Sequence, residues 1–204
     1  MIIVTICGAS GSGKTLLSNN ICNELRKRGI SCNIISLDAY YIHNADLSFD
    51  ERTLINYDSP DAFDFSLLKT DIDLLVNNNS ITKKRYDYSR HIRIDSSEQI
   101  KPTSVLIIEG IHSFADKTLL DKSDLRIFVD TDPDVCIVRR MCRDIKSRNR
   151  TVDKIADQYL STVKPMFDKY IRLYRNDADI CVVGGGNNIK AVNIAAVYIS
   201  SIIK

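Results

Sequence analysis

Residues 8–15 read Gly8-Ala9-Ser10-Gly11-Ser12-Gly13-Lys14-Thr15, which satisfies G-x-x-x-x-G-K-[ST]. These residue types at this spacing are suited to holding a polyphosphate. Successive backbone N–H groups must curl around phosphate oxygens, and glycines clear the approach. Lys14 carries a point charge able to reach β- and γ-phosphates, and Thr15 offers a hydroxyl to Mg²⁺. Ser10, Ser12 and Ala9 are small enough to complete the loop.

Such a loop works only between a strand and a helix. Ile2 to Ile6 is short, β-branched and apolar, as a buried parallel strand should be. Leu17, Ile21 and Leu25 recur at spacings of four, so one helix face is apolar, and Gly29 is placed to end that helix. The helix then aims its N-terminal N–H groups at the same anion.

Other carboxylates and bases lie near predicted strand ends. Asp38 follows a second apolar run, residues 31–37. At the ligand-binding edge of an open α/β sheet it can take a proton from a substrate hydroxyl or hold a metal through water. In isolation it reads better as a turn or helix-capping residue. Glu109 closes a third strand, residues 104–111, as a Walker B carboxylate would, and can hold Mg²⁺ through water. His112 follows directly. Asp58 reads as a turn residue beside Ser59-Pro60. Asp64 is an N-cap for a helix to about Val76.

Residues 81–94 suggest a short hairpin outside the main sheet, with basic residues interleaved among tyrosines. A fourth strand spans 125–131. Asp132-Pro133 then starts a helix expected to bury Val135, Val138, Met141, Cys142 and Ile145. The same helix carries Arg139, Arg140, Arg143, Lys146 and Arg148, and Arg150 follows. Only Asp144 interrupts this cationic run, which reads as a lid placing arginines over phosphates. A long helix over 151–175 contains Pro165, so a kink or break is expected there. A fifth strand, 178–183, precedes Gly184-Gly185-Gly186-Asn187 and a last amphipathic helix. Strands alternating with helices imply a parallel α/β sheet covered on both faces.

The chain has 204 residues and a net charge of +2, with 44% hydrophobic and 26% charged residues. These values suit one globular domain and give no reason to expect nucleic acid or an anionic membrane as partner. The six cysteines form no C-x-x-C pair and read as reduced thiols. No signal peptide or membrane span is seen, so a cytoplasmic protein is expected.

Taken in order, these motifs resemble uridine kinase (uridine–cytidine kinase), a family of P-loop kinases. The resemblance rests on Gly8 to Thr15, Asp38-Ala39-Tyr40-Tyr41, Asn56-Tyr57-Asp58-Ser59-Pro60, Tyr86-Asp87-Tyr88 with His91 and Arg93, Ile108-Glu109-Gly110-Ile111, Phe128-Val129-Asp130-Thr131, Arg139 through Arg150, Gln158-Tyr159 and Val163-Lys164-Pro165-Met166-Phe167. It implies a P-loop NTPase-type α/β fold over 1–204, with a parallel sheet of about five strands. A β-hairpin insertion at 79–101 and an Arg-rich helical lid at 139–158 complete it.

The resemblance also implies an activity, transfer of the γ-phosphoryl group of ATP or GTP to the 5′-hydroxyl of uridine or cytidine, as in pyrimidine salvage. Asp38 matches the carboxylate that orients and deprotonates that hydroxyl. Lys14, Arg143 and Arg148 fall on the phosphate side, and Asn187 falls where the family touches adenine. Tyr41, Asp58, Tyr86, His91, Arg140, Arg150 and Gln158 fall on the nucleoside side. Mg²⁺ is implied, held by Thr15 and, through water, by Glu109 and Asp38. The family is usually a homotetramer. The chain departs from the family at Ser59, at Lys84-Arg85, at Asn149 and at Gly184. A related small-molecule kinase of phosphoribulokinase or pantothenate kinase type, and a nucleotide-binding regulator without catalysis, are the competing readings.

Overall fold

The computed structural model of the chain describes residues 1–148 and 150–203; the Asn149 departure lies outside them. Strands β1 (Ile2–Gly8), β2 (Cys32–Ser36), β3 (Ile81–Asp87), β4 (Ile92–Ile100), β5 (Val105–Glu109), β6 (Leu125–Asp130) and β7 (Ile180–Val183) form two sheets. The main sheet is parallel, in the order β2-β5-β1-β6-β7, and β3 and β4 form a separate antiparallel hairpin. The helices are α1 (Lys14–Lys27), α2 (Phe49–Thr53), α3 (Phe65–Val76), α4 (Lys117–Asp121), α5 (Pro133–Arg148), α6 (Val152–Gln158), α7 (Lys164–Met166) and α8 (Ile189–Ile202).

Strand alternation sorts the core into two layers. Val4, Ile6, Val105, Ile107 and Ile127 meet Leu17, Ile21 and Leu25 of α1 and Val192, Ala196 and Ile199 of α8. Ile3, Cys7, Leu106, Ile108 and Phe128 meet Leu68, Ile72 and Leu75 of α3 and Leu119 of α4 on the other face. The interior strand β5 is therefore closed to solvent along its length, and its apolar run has no polar alternate. Truncating Leu106 to Ala would cost about 2–5 kcal/mol.

Local signals end the elements where the sequence suggests. The Asp64 carboxylate accepts from Leu67 N at 3.0 Å. After α1, Gly29 takes φ +76°. Its N–H donates to Arg26 O while Ile30 N–H donates to Leu25 O, which satisfies the last carbonyls. Pro165 lies in α7, a short stretch between two wide π turns, Tyr159–Val163 and Phe167–Ile171, so the long helix is interrupted on both sides of it.

Helix α5 corrects one expectation. Its buried residues are Cys136, Arg140 and Asp144, whereas Val135, Val138, Cys142 and Ile145 are exposed. The apolar stripe faces outward and the ionic stripe inward, because the inner face pairs its charges with one another and with Asp58.

Candidate active site

Strand pairing places the chemistry. β5 lies between β2 and β1, so Glu109 is in register with Ser36 on one side and Ile6 on the other. Two residues beyond Ser36 is Asp38, and two residues beyond Ile6 begins the phosphate loop. Asp38 and the loop thus flank Glu109 at the carboxyl edge of the sheet, where such sheets leave a crevice.

The loop is held from behind. Ser12 N–H donates to Ala9 O at 3.0 Å and Thr131 Oγ1 donates to Ser12 O at 3.0 Å. Gly11 has φ +89°, and a Cβ there would stand 2.3 Å from Cys136 O. Gly13, at φ +96°, precedes α1 without a capping side chain, and no acidic residue lies in the first turn. Ser12 Oγ is buried and has no partner among the described residues. These free donors and the positive helix end suit an anion.

Thr15 Oγ1 donates to Glu109 Oε1 at 3.3 Å. Burial raises the pKa of Glu109 and the charge of Lys14 opposes the shift. Hydroxyl and carboxylate oxygens are the donors a hard divalent cation takes, so this corner fits Mg²⁺.

The arginines converge on one carboxylate. Asp144 is fully buried. Arg143 Nε lies 2.8 Å from Asp144 Oδ1, Arg148 Nη1 3.4 Å, Arg140 Nε 3.7 Å from Oδ2 and Arg150 Nη1 3.8 Å. Arg140 and Arg150 also donate to Gln158 Oε1. Arg140 lies 3.7 Å from Asp58 Oδ1, and Thr162 Oγ1 donates to Asp58 Oδ2 at 2.9 Å.

Asp58 is positioned by His112. Burial, opposed by the contact to the Asp58 carbonyl, lowers the His112 pKa to about 4, so the ring is neutral. Nε2 can only donate to Asp58 O, at 2.7 Å, which leaves Nδ1 to accept from Tyr174 Oη at 3.1 Å. His112 is structural.

The hairpin closes the other wall. His91 sits at its turn with φ +53° and stacks on Tyr57 at 5.1 Å. Tyr86 Oη is 3.5 Å from His91 Nδ1. Burial lowers the His91 pKa, helped by Arg150 and Arg52. Tyr41 is buried and donates to Tyr57 O at 3.1 Å, so its hydroxyl is spent on the backbone and its ring lines the wall. Asn187 is exposed in the turn whose Gly186 carbonyl accepts from Asn20 at 2.8 Å, beside the start of α1. The departures are local. Ser59 Oγ caps the turn at Pro60–Ala62, Lys84 pairs with Asp71, Arg85 pairs with Glu98, and Gly184 takes φ +81°.

Sequence reasoning passed over Thr162, Tyr88 and the role of Asp144. A lone acid at i+4 from Arg140 and i−4 from Arg148 was the available signal for Asp144. Nothing local marked Thr162, and Tyr88 entered only as part of the Tyr86-Asp87-Tyr88 motif, with no role of its own.

Comparisons with known proteins bear on the family and the fold. A family model described as Phosphoribulokinase / Uridine kinase family matches residues 3–190. The chain is 42% identical over 203 residues to a uridine kinase of Listeria innocua, covering 100% of this chain and 96% of that one. It is 43% identical over 202 residues to a uridine kinase of Latilactobacillus sakei, covering 99% and 94%. The fold matches the phosphoribulokinase of Rhodobacter spheroides with a TM-score of 0.59 at 18% identity, over 89% of this chain and 69% of that one; at that identity the likeness concerns the fold alone. No helix among the described residues is long and apolar enough to cross a membrane.

Proposed function

The chain belongs to the Phosphoribulokinase / Uridine kinase family, and on that premise we propose that it transfers the γ-phosphoryl group of ATP or GTP to the 5′-hydroxyl of uridine or cytidine. The observation that carries this reading is the placement of Asp38 and the phosphate loop on either side of Glu109.

Phosphoryl transfer asks little covalent chemistry of a protein; it asks for an in-line hydroxyl and neutralised phosphate oxygens. In this reading the loop N–H groups and Lys14 hold the triphosphate, with Asn187 beside the adenine. Asp38 orients the 5′-hydroxyl and takes its proton as the oxygen bonds to the γ-phosphorus and the bond to the nucleoside diphosphate oxygen breaks, releasing that diphosphate. Arg143 and Arg148 face the charge that spreads over the equatorial oxygens. Asp58 and Arg140 hold the ribose side, with Arg150 and Gln158. Tyr86, His91 and the ring of Tyr41 hold the pyrimidine, and the neutral His91 can donate to or accept from the base edge. Thr15, with Glu109 and Asp38 through water, would hold Mg²⁺. Bound there, the ion would offset the charge of the phosphate oxygens. The exposed apolar side chains of α5 support a homo-oligomer, which light scattering on the purified protein would test.

A coupled assay across nucleosides, ATP and GTP tests the function. UMP or CMP formation is expected. Turnover of ribulose 5-phosphate or pantothenate without any of uridine or cytidine would overturn it.

A further inference from the structure

Tyr88 has no part in the reaction as described, yet it touches the acceptor carboxylate. Its hydroxyl donates to Asp38 Oδ2 at 2.6 Å. It lies at the hairpin turn just beyond β3, where Asp87 Oδ1 accepts from the N–H groups of Ser89 and Arg90 and holds the turn. The Tyr86 ring meets the Tyr88 ring edge-on at 5.2 Å. The Arg148 guanidinium stacks over the Tyr88 ring at 3.8 Å. One side chain therefore joins the pyrimidine wall, the acceptor carboxylate and a lid arginine.

The chemistry of the contact is that of the substrate. An O–H group donating to Asp38 is what a 5′-hydroxyl must do before attack. A hydrogen bond to a charged acceptor is among the stronger ones, and it occupies the carboxylate oxygen that a substrate hydroxyl would use. The Tyr88 ring also restrains a lid arginine. Arg148 is held between the Tyr88 ring and Asp144, at 3.4 Å from the latter, so moving the ring loosens one of its two restraints.

We propose that Tyr88 is the internal occupant of the acceptor position: its hydroxyl keeps Asp38 closed to water until a nucleoside hydroxyl displaces it, and its departure frees Arg148 toward the phosphates. This deepens the function above and rests on Asp38 being the acceptor carboxylate. The side reaction held back is hydrolysis. There a water oxygen bonds to the γ-phosphorus, the bond to the ADP oxygen breaks, and the water proton passes to Asp38.

Tyr88→Phe tests it, because the ring, its Tyr86 contact and the Arg148 stack remain and only the hydroxyl is lost. ADP release from ATP without nucleoside is expected to rise about tenfold, the equilibrium weight of one hydrogen bond to a charged group, and the uridine KM to fall by a similar factor. Hydrolysis at the unsubstituted level overturns the proposal. So does a lower kcat with unchanged KM, which would make Tyr88 a residue that only orients the carboxylate. Should the variant fold poorly, 3-fluorotyrosine at position 88 gives a second readout. Its fluorine resonance is expected to shift when uridine is added, and a resonance that uridine leaves unmoved overturns the proposal. If the unsubstituted enzyme makes no UMP, the function reading fails and this proposal falls with it. If UMP forms and Tyr88→Phe hydrolyses no faster, this proposal alone fails.

Discussion

Arg140 and Asp144 stand on successive turns of α5, both turned away from solvent, with guanidinium and carboxylate 3.7 Å apart. Three further arginines reach the same acid. A cluster with so much positive charge around one buried carboxylate depends on that carboxylate. Asp144→Asn keeps the size and removes the charge. We expect a loss of about 3–5 kcal/mol in unfolding free energy, the usual effect of stranding a buried charge, measured by urea titration. A change under about 1 kcal/mol would mean that the cluster behaves as a surface network.

Asp38→Asn keeps a hydrogen-bonding side chain and removes the proton acceptor. The expected fall in kcat for uridine phosphorylation is about 10²–10⁴-fold. ATP affinity, read by equilibrium binding, should stay nearly unchanged, because the loop binds the triphosphate without Asp38. Retention of most activity would take Asp38 out of the reaction.

His91→Ala should raise the uridine KM while leaving that for ATP nearly untouched. A buried base edge left without its partner loses about 1–3 kcal/mol. An unchanged uridine KM would place the base elsewhere.

His112 makes stability depend on pH. Its pKa falls from 6.5 to about 4 on folding, chiefly through burial. Between those values the unfolded chain holds a proton that the native ring does not, so stability falls as pH drops through this window and is intact above it. The contribution is about 3 kcal/mol at most. Urea titrations at pH 7 and pH 4 should show that loss, and His112→Gln should flatten part of the slope. An equal slope in the variant would assign the acid sensitivity to carboxylates instead.

Lys84 and Asp71 form a second buried pair, Nζ to Oδ2 at 2.6 Å, and Tyr40 Oη donates to the same oxygen at 2.7 Å. A register shift between Thr82 and Lys84 accompanies the inward turn of this lysine. Lys84→Met should cost about 3–5 kcal/mol by leaving Asp71 unpaired. Adding Asp71→Leu should recover most of that, less about 1–3 kcal/mol for the stranded Tyr40 hydroxyl. Additive losses in this cycle would show that the two residues do not interact.

Much of what depends on neighbours in the chain was legible from the sequence, though the i,i+4 pairing of Asp144 with its arginines was not read. The phosphate loop, the strand before it and the apolar face of α1 follow from spacing, because helix and strand periods put those residues on one face. So do the cap at Asp64 and the turn at Gly29. The apolar sides of α5 could not be read in this way. An ionic stripe and an apolar stripe both have helical period, and only packing decides which is buried; here Asp58 and Gln158, distant in sequence, draw the ionic stripe inward. The same holds for Tyr88 on Asp38 and Thr162 on Asp58. Separations of 50 and 104 residues leave no periodic trace, so those contacts exist only once the strands are ordered and the hairpin and the long helix are folded against them.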